Sequence, residues 1–189
     1  MTEKDARATI AFLERAEGLK DTRRSAFTAA GRSEDAAAHS WRLCLWLVVF
    51  ADAFEGVDMA RALRMAVVHD LGEVVSGDIP AIRQSGDKSA EERIDFLSLL
   101  DGLPTSRAQD MTVLWDEYEA GQTPEARVVK ALDKMETILQ HTQGQNPPDF
   151  DHAFNLSYGA KWAEGDPVLA QLRKIIDAKT QALVDVGTD

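Results

Sequence analysis

Apolar residues recur at helical spacing in the first third of the chain. Residues 4–17 place apolar side chains three residues apart with charges on the opposite face, which predicts a first helix. Ser33 can cap a second helix, predicted over residues 34–54, because a hydroxyl at this position accepts a backbone N–H of the first turn. A third helix is predicted to begin at the N-cap Asp58 and to run through Val68.

The segment between the first two predicted helices, residues 19–32, shows no clear period and is expected to form an irregular loop. Its four positive charges are Lys20, Arg23, Arg24 and Arg32. Positive charge concentrated in one segment of an acidic chain makes that segment a candidate for contact with an anion. The alternative for each of these residues is an ordinary solvated charge on a loop.

The rest of the chain also shows helical periods rather than strand alternation. A capping box and an initial proline predict helices over residues 89–100 and 104–121. Thr123 followed by proline predicts a helix over residues 124–143, and a last helix is predicted from residue 167. Because no segment alternates convincingly, the predicted fold class is all-α.

Length and composition are those of one ordinary globular domain. Of the 189 residues, 44% are hydrophobic and 28% are charged, so a single domain with one core is predicted over residues 1–189. The net charge of −11 argues against binding of polymeric DNA or RNA, because such binding depends on neutralising phosphates. A mononucleotide could still bind if a metal ion or a local basic cluster reversed the field.

Cysteine content and hydropathy indicate a cytoplasmic protein. Cys44 is the only cysteine, so an intrachain disulfide cannot form, which fits a reducing compartment. The chain shows no basic-then-apolar leader, and its best apolar run, residues 43–51, is well short of a membrane span. We therefore expect a cytoplasmic protein without membrane attachment.

Ionisable groups are concentrated behind an apolar run in residues 67–78, which read VVHDLGEVVSGD. His69 and Glu73 are four residues apart and so share one helix face, while Asp70 flanks them at the helix end. Together with Asp78, they would carry unpaired charge beside buried valines unless an ion neutralised them. The stretch predicts metal ligands beside a base.

His39 and Asp133, on two other predicted helices, complete a candidate metal site with His69 and Asp70. Two imidazoles and two carboxylates suit first-row divalent metals, and the two negative charges neutralise a dication. Four ligands with open positions favour Mn²⁺, Co²⁺ or Fe²⁺, with Zn²⁺ as an alternative. Taken alone, His39 is more often a hydrogen-bonded core histidine than a ligand.

The order of these residues resembles the HD-domain metal-dependent phosphohydrolases, and in particular their 5′-deoxynucleotidase group. The His-Asp pair alone is weak evidence, but five segments match in the same order over about 120 residues. The matching segments are residues 19–24, 38–40, 69–78, 114–119 and 125–136.

The resemblance implies a helical HD-domain bundle that hydrolyses deoxynucleoside 5′-monophosphates to deoxynucleosides and inorganic phosphate. It also implies one divalent metal ion, a small-molecule nucleotide substrate and a homodimer. The residues it assigns are His39, His69, Asp70 and Asp133 as metal ligands, Glu73 and Asp78 in catalysis, and Arg24 with Phe27 on the substrate. Asp78 would serve either as a second acid or base or as a contact for the sugar 3′-hydroxyl.

Two positions depart from the family pattern. Ala38 stands where many relatives carry a Glu or Asp just before the first metal histidine, and Phe27 stands where a Trp is expected near Arg24. In the family, that aromatic is associated with preference for the deoxy sugar, so the departure at Phe27 concerns sugar selectivity.

Other functions fit parts of the pattern. A two-metal HD-domain oxygenase needs further histidines between Asp70 and Asp133, and the sequence has none there, which favours one metal ion. A phosphohydrolase of another small phosphate ester or signalling nucleotide stays open, as does a non-catalytic nucleotide-sensing module. Glu73 and Asp78 favour catalysis over sensing.

Three further groups are predicted to have structural roles. The four tryptophans are predicted to pack in the core, and residues 116–119 to form a solvated face or a partner contact. His141 and His152 are predicted to lie outside the site, because His141 is turned about 80° around the helix from Asp133.

Overall fold

The first helix begins at a pair of reciprocal side-chain caps. In this computed structural model, which describes residues 1–79 and 88–186, helix α1 spans Glu3–Ala16. Thr2 Oγ1 accepts a hydrogen bond from the Asp5 backbone N–H, and the Asp5 carboxylate accepts one from the Thr2 N–H. A 3-10 turn over Glu17–Lys20 follows the helix.

The segment predicted as an irregular loop forms most of a two-stranded hairpin. Strand β1 (Arg23–Phe27) pairs antiparallel with β2 (Ser33–Asp35), and Arg23 lies opposite Asp35. The sequence pattern predicts no strand here, and that prediction was wrong. Strands this short and polar lack the alternation that a longer half-buried strand would show.

Helix α2 spans Ala36–Val49 and begins later than predicted. Asp35, rather than Ser33, is its N-cap, and the Asp35 side chain accepts a hydrogen bond from the Ala38 N–H at 2.8 Å. Ser33 belongs to β2, so its predicted role as a helix cap was wrong. The hairpin therefore runs directly into α2 and holds β1 beside the start of that helix.

The later helices follow the predicted order. Asp58 and Thr123 cap their helices as predicted, each accepting a backbone N–H from the third residue after it. Ser89 does not act as a cap, because its hydroxyl donates to Glu119 and its helix begins one residue earlier. The helices are α3 (Met59–Val68), α4 (Glu73–Ser76), α5 (Lys88–Leu99), α6 (Thr105–Ala120), α7 (Pro124–Gln143), α8 (Phe154–Ser157) and α9 (Pro167–Val186).

Helix α7 lies at the centre of the hydrophobic core. It packs against α2, α3, α6 and α9. Its buried apolar side chains are Ala126, Val128, Val129, Ala131, Leu132, Met135 and Ile138. Asp133 and Glu136 are buried on the same helix, so both need partners from the surrounding elements.

The predicted all-α fold class is confirmed, because only the small hairpin interrupts the helices of the described chain. The expected burial of the tryptophans was wrong for Trp41, which is 65% exposed on α2, whereas Trp115 is buried. In the described parts of the chain, no helix is both long enough and apolar enough to cross a membrane.

Candidate metal and active site

Four side chains from three parts of the chain converge beside α7. His39 comes from α2, His69 from the C-cap of α3, Asp70 from the next position and Asp133 from α7. His39 Nε2 lies 3.1 Å from Asp133 Oδ1 and 3.7 Å from Asp70 Oδ2, and His69 Nε2 lies 3.1 Å from the same Asp70 oxygen. The structure thus brings the four predicted ligands together, while their binding of a metal stays a prediction.

Each imidazole is oriented by a partner on its Nδ1 atom. His69 Nδ1 donates to the Ala66 carbonyl oxygen at 2.9 Å. His39 Nδ1 contacts the carboxylate of Glu136, which in turn accepts a hydrogen bond from Arg42 Nε at 2.6 Å. These partners direct both Nε2 atoms toward the centre of the cluster, as the outer-shell partners of metal-bound histidines do.

Three atoms at this centre make no hydrogen bond within the described chain: His39 Nε2, His69 Nε2 and Asp70 Oδ2. Ligand atoms of these three residues all lie within 4.8 Å of one another. Such a buried set is costly unless a cation satisfies it. Imidazole nitrogens and carboxylate oxygens are donors that first-row divalent metals accept, so these residues fit such an ion.

A second group that could hold an ion consists of Glu34, His39 and Glu136. Arg24 Nε lies 3.4 Å from Glu34, and Arg42 lies 2.6 Å from Glu136. Because each of these carboxylates already faces a guanidinium, we assign them to supporting His39 rather than to holding an ion.

The carboxylates around His39 make the cluster a site for positive charge. Burial and the Arg24 guanidinium lower the pKa of His39, but Glu136 and Asp133 outweigh them and raise it to about 10. Burial raises the pKa of Asp133, but Lys134 and His39 lower it to well below its usual range. The cluster therefore favours a cation, either a proton or a metal ion, between the two rings.

Arg24 is a buried cation at the edge of the cluster rather than a solvated loop charge. Its side chain is 11% exposed, its Nη1 lies 3.6 Å from Asp70 Oδ2, and its Nη2 donates to Thr137 Oγ1 at 3.0 Å. Burial lowers the pKa of Arg24, but the carboxylates of Asp70, Asp78 and Glu73 raise it above its ordinary value. Arg24 thus stays charged beside the candidate ligands.

The cluster borders a cavity of about 930 Å³. Arg24, Glu73 and Asp78 line this cavity together with His69, Asp70 and Asp133. Phe27 is not among the described residues that line it, and its carbonyl oxygen accepts a hydrogen bond from Gln140 at 2.5 Å. The predicted catalytic residues and Arg24 therefore line the same cavity as the candidate metal ligands His69, Asp70 and Asp133. Phe27 lies away from the cavity wall.

Known proteins share this architecture. The model of the HD domain family matches residues 16–172 of the chain. The chain belongs to the HD-domain family. The 5′-deoxynucleotidase HDDC2 of Bos taurus is 30% identical over 191 residues, which cover 96% of this chain and 90% of that protein. Its counterpart from Homo sapiens is 31% identical over 153 residues, which cover 78% and 72%.

A solved structure has a fold similar to that of this HD domain. The crystal structure of a predicted metal-dependent phosphohydrolase from Magnetospirillum magnetotacticum MS-1 is 28% identical in sequence and superposes with a TM-score of 0.78. The match covers 95% of this chain and 97% of that one. The family expected from the spaced histidines and aspartates is confirmed.

Three residues that surround the candidate metal ligands of the HD domain were not predicted from the sequence. The Tyr118 hydroxyl donates to Asp133 Oδ2 at 2.7 Å, and Lys134 Nζ lies 2.8 Å from the same oxygen. Glu136 contacts Nδ1 of His39, whereas Asp70 faces Nε2 of the same ring. All three stand in segments that match the family, and that match was the available signal.

Residues 116–119 only partly form the solvated face that was predicted. Glu119 lines the HD-domain cavity and pairs with Lys130 at 3.1 Å. Burial raises the pKa of Glu119, but Lys130 lowers it to below its usual value. The prediction was wrong for Glu119 and for Tyr118, which is buried against Asp133, because α6 packs against α7.

His141 lines the cavity of the HD domain, although it was predicted to lie outside the site. It belongs to neither group of potential metal ligands in the described chain, so its exclusion from the metal cluster agrees with the structure. Its exclusion from the cavity was wrong, because α7 turns His141 only partly away from Asp133 and the cavity extends along the helix. His152 is not among the described lining residues.

Proposed function

We propose that this HD domain hydrolyses deoxynucleoside 5′-monophosphates to deoxynucleosides and inorganic phosphate, using a divalent metal ion. The observation that carries the proposal is the set of atoms His39 Nε2, His69 Nε2 and Asp70 Oδ2, which lie close together beside Arg24 at the edge of the cavity. The relatives named 5′-deoxynucleotidase HDDC2, with about 30% identity over most of the chain, support the same substrate class.

We propose that His39, His69, Asp70 and Asp133 hold one divalent ion, with Mn²⁺, Co²⁺, Fe²⁺ or Zn²⁺ as candidates. Such an ion would lower the pKa of a bound water and neutralise charge that develops on the phosphoryl oxygens. The protein would orient both imidazoles toward this ion through the partners of their Nδ1 atoms.

Arg24 is proposed to bind the substrate phosphate. Its planar guanidinium can donate two parallel hydrogen bonds to phosphate oxygens, which a lysine cannot do. Its present contact with Asp70, at 3.6 Å, places it beside a proposed metal ligand, so one phosphate can reach both.

The charges that line the cavity bear on how this acidic chain could bind an anionic nucleotide. In a protein of net charge −11, the described residues that line the cavity include eight carboxylates and four cations, and the cations are Arg23, Arg24, Lys130 and Lys134. Burial lowers the pKa of Lys134, but the Asp133 carboxylate raises it to well above its ordinary value, so this ammonium stays charged. Because carboxylates outnumber cations in this lining, the proposed metal ion would have to supply further positive charge for an anionic mononucleotide to bind.

Glu73 is proposed to act as the general base. It is buried at the first position of α4 and lines the cavity beside His69 and Asp70. From there it would accept the proton of the attacking water as the water oxygen bonds to phosphorus and the bond to the 5′-oxygen breaks. Asp78 is proposed either to return a proton to that leaving oxygen or to bind the sugar 3′-hydroxyl.

Phe27 was assigned to the substrate by resemblance, and we keep its contact with the sugar as a proposal. Its position away from the cavity wall means that a bound nucleotide would need to draw the end of β1 inward. Selectivity for the deoxy sugar can therefore differ from that of relatives with a tryptophan.

Phosphate release from a panel of deoxynucleoside and ribonucleoside 5′-monophosphates, with added Mn²⁺ or Co²⁺, tests the function. Release from the deoxy set well above the ribo set is expected. Equal release from both sets would reject the deoxy preference, and release from neither would reject the activity in favour of another phosphate ester or a nucleotide-sensing module.

We also propose that the chain forms a homodimer through α2. The exposed residues Trp41, Leu45, Val48 and Val49 recur at intervals of four, three and one residues and so share one face of the helix. An apolar stripe on one helix face is typical of a protein interface.

A single HD domain over residues 1–189 and a cytoplasmic location belong to the same proposal. One core cluster joins apolar residues from α1 through α9, and the only cysteine, Cys44, cannot form an intrachain disulfide.

A further inference from the structure

The cavity extends along α7 from the metal cluster to a second polar group. Asp133, Thr137 and His141 follow one another at intervals of four residues on this helix, and all three line the cavity. At 1.5 Å per residue, His141 lies about 12 Å along the helix axis from Asp133. This is the length scale of a nucleotide from its phosphate to the far edge of its base.

His141 and Asn155 form a hydrogen-bonded pair at this far end of the cavity. His141 Nδ1 lies 3.1 Å from Asn155 Oδ1, and an amide oxygen only accepts, so the hydrogen is on Nδ1. In the neutral ring, Nε2 is then an acceptor, and Asn155 Nδ2 is a donor. Burial and Arg24 lower the pKa of His141 to about 4, despite its hydrogen bond to Asn155, so the ring is neutral at physiological pH.

Neither of these outer nitrogens is satisfied by the protein itself. His141 Nε2 and Asn155 Nδ2 make no hydrogen bond within the described residues, although the two residues are only 8% and 1% exposed. A buried polar atom without a partner costs free energy. The pair thus leaves one acceptor and one donor without a partner on two residues that line the cavity, and these match a ligand that presents a donor and an acceptor.

The polar edge of each DNA base offers this arrangement, because an N–H group stands next to a carbonyl oxygen or a ring nitrogen in all four. Phe150 adds an apolar surface, since its ring lies 4.7 Å from the His141 ring and also lines the cavity. The pair therefore suits a base of any of the four kinds.

Arg173 holds this part of the cavity wall in place. It is buried on α9, and its guanidinium donates to the carbonyl oxygens of Asn155 at 2.8 Å, Leu156 at 2.9 Å and Tyr158 at 2.7 Å. These bonds fix the backbone of α8 against α9. Arg173 is a positioning residue, because it sets where the Asn155 amide lies without lining the cavity itself.

We propose that His141 and Asn155 form the subsite that binds the nucleobase of the substrate. This inference rests on the proposed function, because the phosphate must sit at the metal cluster for the base to reach α8. The subsite contributes binding energy and does not select among the four bases.

The test is the double variant His141→Phe with Asn155→Leu, which replaces both polar partners by apolar groups of similar shape and so leaves no half of the pair unsatisfied. KM for dAMP and dCMP is expected to rise about tenfold, as the loss of two neutral hydrogen bonds predicts, with kcat within about twofold. Deoxyribose 5-phosphate, which has no base, is expected to show the same KM in both proteins.

His152→Phe is the matched control. His152 also contacts the Phe150 ring, at 4.8 Å, and is not among the described lining residues, so KM should stay unchanged for every substrate. An unchanged KM for the nucleotides in the double variant, or an equal rise for deoxyribose 5-phosphate, would overturn the subsite.

Calorimetric titration of dAMP into both proteins separates this inference from the proposed function. Weaker dAMP binding by the double variant together with no phosphate release by the unmodified protein would reject the function and retain the subsite. Equal dAMP binding by the two proteins would reject the subsite even if both release phosphate.

Discussion

At the scale of single residues, the two ring nitrogens of His39 and of His69 have different roles. His39 uses Nδ1 for Glu136 and presents Nε2 to Asp133 and Asp70, while His69 uses Nδ1 for a backbone carbonyl. The orientation of each ring is therefore set by a partner within the protein. Glu73, which lines the cavity beside these residues, is proposed to accept a proton.

Glu73→Gln should slow phosphate release without weakening metal binding. The variant keeps the shape of a buried side chain but removes the base, so kcat should fall by about 10² to 10⁴. Turnover is measured by phosphate release and Mn²⁺ affinity by calorimetry, with the exposed Glu14→Gln on α1 as control. If Mn²⁺ affinity fell in parallel with kcat, Glu73 would be a ligand rather than a base.

His141 should make the protein less stable in mild acid. Its pKa is about 4 in the folded chain against 6.5 ordinarily, so below about pH 6.5 the unfolded chain binds a proton that the folded chain does not. Relative to His141→Phe, the free energy of unfolding should fall by about 2 kcal/mol between about pH 7 and pH 5. Below about pH 4 the difference should level off.

Urea unfolding of both proteins at each pH measures this difference. Arg24 and His152 lower the pKa of His141, while Asn155 and Glu136 raise it, and all four remain in both proteins. A constant difference across this pH range would mean that His141 is not buried in its neutral form.

At the scale of elements, α7 carries side chains that contact several other helices, and α2 has an exposed apolar face. α7 packs against four helices, which explains why its carboxylates meet groups from α2 and α6. α2 is buried along one side through His39, Leu43 and Leu47, while its opposite side carries the exposed stripe. One short helix thus contributes to the site on one face and carries the proposed dimer interface on the other.

Trp41→Glu should convert the dimer to a monomer. A charge at the most exposed aromatic of the α2 stripe would have to be desolvated in the interface, which is strongly unfavourable. Sedimentation velocity measures the change in mass. Ile94→Glu is the control, because Ile94 is 67% exposed on α5, outside the stripe. A protein that sediments as a monomer before any substitution would contradict the proposed dimer.

At the scale of the whole molecule, an acidic chain concentrates its buried charges around one cavity. The chain carries a net charge of −11, yet Arg24 and Lys134 lie against the carboxylates of Asp70 and Asp133 at the cavity wall. The cluster joins α2, α3 and α7, so an ion bound there would tie together three central helices. Metal binding should therefore affect global stability.

Added Mn²⁺ should raise the melting temperature of chelator-treated protein. An ion present at a free concentration of about 100 times its Kd stabilises the folded state by about 2.7 kcal/mol. For a domain of this size, this corresponds to a rise in melting temperature of roughly 5 to 10 °C. Differential scanning calorimetry measures the shift, and Asp70→Asn should abolish most of it. An equal shift in Asp70→Asn would place the stabilising ion elsewhere.

The sequence by itself determined the features that depend on neighbours along the chain. Asp58 and Thr123 could be assigned as caps because a cap and its N–H partner are three residues apart. His69 and Asp70 could be paired because they are adjacent. The family followed from five ordered segments, and with it the choice of His39 and Asp133.

Only the tertiary structure decided which distant groups share one volume. The contacts of Asp133 with Tyr118, of His39 with Glu136, and of His141 with Asn155 join residues on different elements. The hairpin likewise depends on pairing between short polar strands that carry no periodic signal. The physical reason is that caps and helical periods are local, whereas the packing around α7 sets burial, pairing and pKa, and packing is a property of the assembled fold.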